Sequence, residues 1–324
     1  MVISEADIRS LTSRELAIES QRVAYRATTG GLSATSGVMA TEDDGALVFA
    51  VAGRILGLTG VTFKIGRQLP SNRDRGLASL QSMVIMMEAD TGQVLACLNG
   101  GVLSALRTTA GVAVAADVLA VPGARTLGVF GSGAQARDVV GMISAVRPIT
   151  DVRIWSPSQS NRESLVEDLR AEALSPVTVT AVSEPRLACE GCDIVVTCTT
   201  SKTPVFRGEW LTTGATILTI GSYAPDLNEI DLLVSSRASR TFVDDIDKAS
   251  KWCGPVISAI SGGLLKLEEI AAIGDFIGSG HLARQSHEEI LVFHSVGVAA
   301  QDAALSWMIY ERALSQGLGA RVEF

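Results

Sequence analysis

The stretch Thr126-Leu127-Gly128-Val129-Phe130-Gly131-Ser132-Gly133-Ala134-Gln135-Ala136 has the residue types and spacing to bind a pyrophosphate. A short apolar run enters a Gly-x-Gly-x-x-Ala turn, and the residues from Ala136 to Ile143 open a helix. Gly131 permits the tight turn, Gly133 removes the side chain where phosphates approach, and Ala136 lets the helix pack close to the strand. Gly131, Ser132, Gly133, Ala134 and Gln135 are therefore expected to hold a dinucleotide; an ordinary tight βα turn is the alternative.

The next strand, Val152-Arg153-Ile154-Trp155, bears on which dinucleotide. A site for an unphosphorylated ribose carries Asp or Glu at that strand's end. Here the strand runs into Ser156-Pro157-Ser158, with Arg162 nearby and no carboxylate. Ser156, Ser158 and Arg162 are read as room for a 2′-phosphate, so NADPH is expected to be preferred over NADH. The alternative is that Arg162 is a solvated helix residue and either cofactor is accepted.

Two other residues are out of place for their surroundings. Lys64 sits in the apolar strand Gly60-Val61-Thr62-Phe63-Lys64-Ile65, where a lysine must snorkel to water or meet an anion. Arg107 opens a helix rich in Ala and Val, where a cation opposes the helix dipole, so a local anion is the more attractive explanation and a surface ion pair the alternative.

The elements that must position these groups fall into three blocks. Residues 1–26 read as helical, with Ser4 or Asp7 as caps. Strand-like runs follow at 46–51, 60–65 and 83–87, the last joined through Asp90-Thr91-Gly92 to 94–98 as a hairpin. A small-residue helix over 104–120 leads into alternating strands (126–130, 152–155, 177–181, 193–198, 216–220, 241–243) and helices (135–145, 161–173, 228–234). A long helix is expected between Glu288 and Ala313. The fold class is α/β: a doubly wound parallel-sheet (Rossmann) nucleotide domain of five or six strands over 119–299. It is inserted in a smaller α+β dimerisation and substrate domain made of 1–118 plus 300–324.

Composition narrows the classes. The chain has 324 residues, 47% of them hydrophobic, with 31 glycines, enough for two domains with real cores. A formal charge of −8 gives no basic footprint for nucleic acid. Five cysteines, with Cys189 and Cys192 as a lone C-x-x-C, suggest reduced thiols and no metal site. The first residues lack a leader-like apolar core, and no apolar run is read as a membrane span, so a cytoplasmic protein is expected.

Five motifs stand in order: Leu106-Arg107-Thr108-Thr109-Ala110, Gly131 to Arg137, Gly221-Ser222-Tyr223-Ala224-Pro225-Asp226, Asn228-Glu229-Ile230-Asp231, and Phe293-His294-Ser295-Val296-Gly297. Together they resemble the ornithine cyclodeaminase/mu-crystallin family, over a span from about Lys64 to Gly319. The resemblance implies a homodimer built through the strand-rich domain, and chemistry on an imine next to a carboxylate. It implies that Lys64 contacts the substrate carboxylate and reacting centre, that Arg107 bridges substrate and cofactor, and that Ser79 and Thr108 contact the cofactor. By the same likeness Thr199 or Thr200 and Ile220, Gly221 and Ser222 wall the nicotinamide ribose, while Ser295 and Val296 meet nicotinamide and substrate.

The chain also departs from that family. Cyclodeaminases carry an aspartate where Tyr223 stands; tyrosine is a poor base near neutrality but can donate to an imine nitrogen. Asp226 either substitutes for it or belongs to the turn that Pro225 fixes. The family's arginine on the first strand is absent from Ser33-Ala34-Thr35-Ser36-Gly37-Val38-Met39, and Arg26 and Arg54 lack its context. His294 replaces a frequent lysine, as either a spectator or a site residue. The reading is an NAD(P)H-dependent imine reductase or amino-acid dehydrogenase with Lys64, Arg107 and Tyr223 as catalytic candidates. The alternatives are an ornithine-type cyclodeaminase and a non-catalytic NADPH- or ligand-binding protein.

Overall fold

Alternating side chains over residues 33–99 and unbroken apolar runs from 126 onward build two different sheets in the computed structural model, which describes residues 1–41, 46–172 and 177–323. Contacts divide the chain into two units: Met1–Arg107 with Val298–Phe324, and Thr108–Gly297.

The first unit begins with β1 (Val2–Ile3), α1 (Glu5–Leu11) and α2 (Arg14–Thr29). Ser4 caps α1, and Asp7 completes a capping box with it. Strands β2 (Ser33–Thr41), β3 (Leu47–Ile55), β4 (Val61–Gln68), β5 (Leu80–Met87) and β6 (Val94–Asn99) follow. They form one sheet in the order β1-β6-β5-β4-β3-β2, antiparallel except for β1 on β6. The register puts Gly37, Val51, Lys64 and Val84 in one row, and Val38, Ala50, Ile65 and Met83 in the next, on the opposite face. The first face buries Lys64 and Val84; the second exposes Val38, Val48, Phe63, Ile65 and Met83.

Helix α3 (Gly100–Leu119) leads from the first unit's residues to the second's. By length and composition it passes as a membrane span, against the expectation that no stretch would, and 72% of its apolar window is buried inside the protein. Its run of Ala, Gly and Val is that of a core helix in close packing.

The second unit continues with β7 (Thr126–Phe130), α4 (Ala134–Ser144), β8 (Asp151–Trp155), α5 (Gln159–Ala171), β9 (Thr178–Ala181), β10 (Ile194–Thr197) and β11 (Thr216–Thr219). Then come α6 (Leu232–Arg237), β12 (Arg240–Val243), α7 (Ile246–Trp252), α8 (Gly254–Ser261), β13 (Ile270–Ala272) and β14 (Leu291–His294). The sheet order is β13-β12-β14-β11-β10-β7-β8-β9, all parallel. This is the doubly wound fold, with eight strands rather than five or six. The extra members are β13 and β14, and β14 is central, in a stretch expected to hold only a helix. The helix read at 228–234 begins later, because Asp231 accepts from the Val234 N–H and caps α6.

The first unit closes with α9 (Ala299–Gln316), ended by the left-handed Gly317. It lies across β3 on the Lys64 face of the sheet, with α2 packed against it. A Cβ on Gly53 would stand 2.6 Å from the Ala299 Cβ, so only glycine at this β3 position admits the first turn of α9.

Candidate active site

Parallel strands end on one edge, and here they end in register. Trp155, Phe130, Thr197, Thr219, His294 and Val243 form a single row across six strands. The residues just beyond that row therefore share one edge of the sheet: Gly131 to Gln135, Ser156 and Ser158, Thr199 and Thr200, Ile220 to Ser222, and Ser295 with Val296. The chain's direction across the sheet reverses between β7 and β10, and ligands of doubly wound folds bind at such a reversal.

The β7–α4 turn fits a pyrophosphate on its own evidence. Gly131 has φ 123, and a Cβ there would lie 2.7 Å from the Cys198 carbonyl oxygen. Gly133 is the N-cap of α4, gives it no side-chain cap, and no acidic residue stands in its first turn. A Cβ on Gly133 would meet nothing within 4 Å, so open space lies over the N–H groups. Room and bare donors at a helix start are what an anionic diphosphate needs.

At the end of β8, Ser156 is buried and its hydroxyl donates to the Ser158 carbonyl at 3.0 Å. The Ser158 hydroxyl caps α5 through the Asn161 N–H. Arg162 is half-buried and donates to the Ser156 carbonyl at 2.9 Å, which pins its guanidinium to this turn.

Two carboxylates that the sequence did not single out hold the neighbouring loops. Glu229, with 0% exposure, accepts from the Thr199 N–H (2.7 Å) and hydroxyl (2.8 Å), the Gly221 N–H (2.7 Å) and the Ser222 hydroxyl (3.2 Å). Burial pushes its pKa up, and the Thr199 and Gly221 donors oppose that shift. Asp244, just past β12, accepts from the Ser295 hydroxyl and from the N–H groups of Val296 (3.0 Å) and Gly297 (2.7 Å). The loops after β10, β11 and β14 are thus tied down by two side chains.

Three further candidates separate. Tyr223 follows Ser222 on the β11 loop and is half-buried. Asp226 is exposed and pairs with Lys202 at 2.8 Å, which lowers its pKa; it is a surface residue, not a substitute for the missing aspartate. His294 is buried with Nδ1 2.8 Å from the Thr219 hydroxyl, and burial pushes its pKa down to about 4. Burial likewise pushes the Cys189 thiol up to about 12 and Cys192 to about 11, which keeps both unreactive near neutrality.

In the first unit the two isolated cations meet. Lys64 is buried, and its Nζ lies 3.2 Å from Oδ1 of Asp302 in the first turn of α9. Arg107 Nε lies 3.5 Å from the same oxygen, and its fork donates to Gln301 Oε1 at 3.0 Å. Gln301 in turn donates to the Tyr25 hydroxyl at 3.1 Å. The alternative of Lys64 snorkelling to solvent is therefore set aside. Ser79, half-buried, lies just before β5 in this unit, and Thr108, buried, begins the other. Asp302 could have been found by the same signal as Lys64, a charge amid Ala299, Ala300, Ala303 and Ala304.

The sequence pattern of the ornithine cyclodeaminase/mu-crystallin family matches residues 1–317, further toward the N-terminus than the motifs alone reach. A Delta(1)-pyrroline-2-carboxylate reductase of Bacillus cereus is 30% identical over 329 residues, covering 100% of both chains. The Thermococcus litoralis Delta(1)-pyrroline-2-carboxylate reductase, in complex with NADH and L-proline, superposes with a TM-score of 0.94 at 25% identity, over 99% of this chain and 100% of that one. An archaeal alanine dehydrogenase dimer with bound NAD gives 0.92 at 27% identity, over 100% and 99%.

The buried imidazole gives the fold a pH dependence. The unfolded chain takes a proton near the ordinary histidine value of 6.5, while the folded chain resists it down to about 4. Stability from this group is full above about pH 6.5 and falls as pH drops toward about 4, by about 2 kcal/mol at pH 5. Urea unfolding at pH 7.5 and pH 5 measures it: His294→Phe is expected to flatten this part of the profile, and an unaltered slope in the variant rejects the assignment.

Proposed function

The chain belongs to the ornithine cyclodeaminase/mu-crystallin family, and we infer that it is a nicotinamide-dependent oxidoreductase acting at the C=N or CH–NH centre of a carboxylated imine or amino acid. The observation that carries this reading is the gathering of Lys64 and Arg107 on one buried carboxylate, since a pair of desolvated cations is what an α-imino carboxylate requires. The nicotinamide, when bound, supplies the hydride. Gly131 to Gln135 are assigned to its pyrophosphate, and Thr199, Ile220 to Ser222 and Ser295 to the ribose and ring.

The chain's own residues have three tasks. Lys64 and Arg107 bind and orient the carboxylate, so that the imine carbon is fixed for hydride addition. Val296 supplies an apolar wall for the substrate. Reduction also adds a proton to the imine nitrogen, from the Lys64 ammonium or the Tyr223 hydroxyl. Running backward, the same groups accept that proton as the amine is oxidised. A cyclodeaminase would need a carboxylate in the β11 loop; Tyr223 stands in its place and Asp226 is engaged with Lys202.

Two finer features belong to the proposal. NADPH is favoured over NADH, supported by the absence of a carboxylate at the end of β8 and by Arg162 anchored there. The chain forms a homodimer through the open face of its antiparallel sheet, supported by the exposed Phe63, Ile65 and Met83 and by the dimeric archaeal relative.

Oxidation of NADH and NADPH by pyruvate with ammonia and by Δ1-pyrroline-2-carboxylate tests the reading. Turnover is expected, with kcat/KM down by about a hundredfold or more in Lys64→Ala and Arg107→Ala, and with cofactor affinity unchanged in Lys64→Ala. Tyr223→Phe separates the proton sources: a kcat loss of about a hundredfold assigns the hydroxyl, and an unchanged kcat assigns Lys64. No turnover of either substrate, with the cofactor bound, rejects the function.

Arg162→Ala should raise KM for NADPH about tenfold more than KM for NADH; an equal effect on both removes the NADPH preference. By light scattering, Ile65→Asp should turn a dimer into a folded monomer, because it buries a charge in the proposed interface. A variant that stays dimeric places the contact elsewhere.

A further inference from the structure

Asp302 is a carboxylate held inside a cluster whose assigned task is to bind a carboxylate. Its Oδ1 lies 3.2 Å from the Lys64 ammonium and 3.5 Å from Arg107 Nε, and the residue is only 7% exposed. It is fixed there. It belongs to the first turn of α9, where the helix dipole favours an anion, and α9 is seated against β3 by the Gly53–Ala299 contact. Gln301, beside it, bonds both Arg107 and the Tyr25 hydroxyl, so the arginine it faces is also held.

We propose that Asp302 is a specificity-determining residue that restricts the site to substrates bearing a single carboxylate. The inference rests on the functional reading above, in which Lys64 and Arg107 hold the substrate's α-carboxylate. Asp302 already takes up part of the positive charge of that pair, and one incoming carboxylate shares what is left. A second carboxylate on the same small substrate would come within a few ångströms of Asp302, in surroundings too dry to screen the repulsion. Discrimination of this kind works by placing a like charge against the wrong ligand. Imines of neutral α-keto acids, open or cyclic, are therefore the substrate class, and imines of dicarboxylic keto acids are excluded.

The test is binding rather than turnover, so it can be told apart from failure of the functional reading. The protein saturated with NADH is titrated by calorimetry with pyruvate and with oxaloacetate, which share the α-keto acid end and differ by one carboxylate. The wild-type protein is expected to bind pyruvate about tenfold or more tightly than oxaloacetate, and Asp302→Asn to shrink that ratio about tenfold. Asp302→Glu, which keeps the charge, should keep the preference. A wild-type protein that binds both equally overturns the proposal whether or not Asp302→Asn folds. So does an Asp302→Asn variant that weakens both ligands by the same factor, as a merely structural role would.

Discussion

The edge on which the parallel strands end together depends on one carboxylate that has no contact with water. Glu229 is fully buried, and an acid in that position is tolerable only if its oxygens are filled with donors. It finds them in the N–H and hydroxyl of Thr199, the N–H of Gly221 and the hydroxyl of Ser222. These belong to the loops that leave β10 and β11, so the requirement that the acid be satisfied is also a requirement that the two loops stay together. Asp244 imposes the same condition on the segment after β14 through Ser295, Val296 and Gly297. Loops that would otherwise be ordered only by a ligand are ordered beforehand, which lowers the entropy lost on binding.

This arrangement works because the strands end level with one another and because glycine stands where the loops converge. A Cβ on Gly221 would come within 1.6 Å of the Thr199 carbonyl oxygen, and one on Gly131 within 2.7 Å of the Cys198 carbonyl. Thr199 follows β10, Gly221 follows β11 and Gly131 follows β7, so β10 lies at the centre of both close approaches. Glu229 could not reach both of its loops if a side chain held them apart. The glycines of the β7–α4 turn and of the β11 loop thus serve one geometry, although they are ninety residues apart.

What could be read from the sequence was what is local. The β7–α4 turn is legible because its strand, glycines and helix are contiguous, and Lys64 and Arg107 are legible because each is a charge in an apolar stretch. Their common anion is not, since Lys64 and Asp302 are 238 residues apart and only the fold brings them together. Glu229 was visible only as a letter in Asn228-Glu229-Ile230-Asp231, for nothing nearby in sequence shows that loops elsewhere donate to it. Strand β14 was hidden for another reason. It is four residues long and buried on both faces, so it lacks the alternation that marks a strand, and the apolar residues after it extend the run into α9. The unbroken antiparallel pattern of β4 shows the contrast: Thr62 and Lys64 point inward, and Phe63 and Ile65 outward.

The cluster of Lys64, Arg107 and Asp302 follows from packing as directly as the edge of the parallel sheet does. Thr62 lies opposite Gly53 in the sheet and donates its hydroxyl to the Gly53 carbonyl. The bare Gly53 backbone lets Ala299 approach, and Ala300, Ala303 and Ala304 keep the buried side of α9 thin. A helix so close to the sheet places a residue three positions after Ala299 near the strand residue two positions after Thr62, on the same face. Those residues are Asp302 and Lys64. Bulkier side chains at these small positions would lift α9 away and withdraw the Asp302 carboxylate from the buried Lys64 ammonium, a loss that costs several kcal/mol. The glycine and alanines therefore act on the chemistry as much as on the core, by fixing how near a carboxylate stands to the two cations.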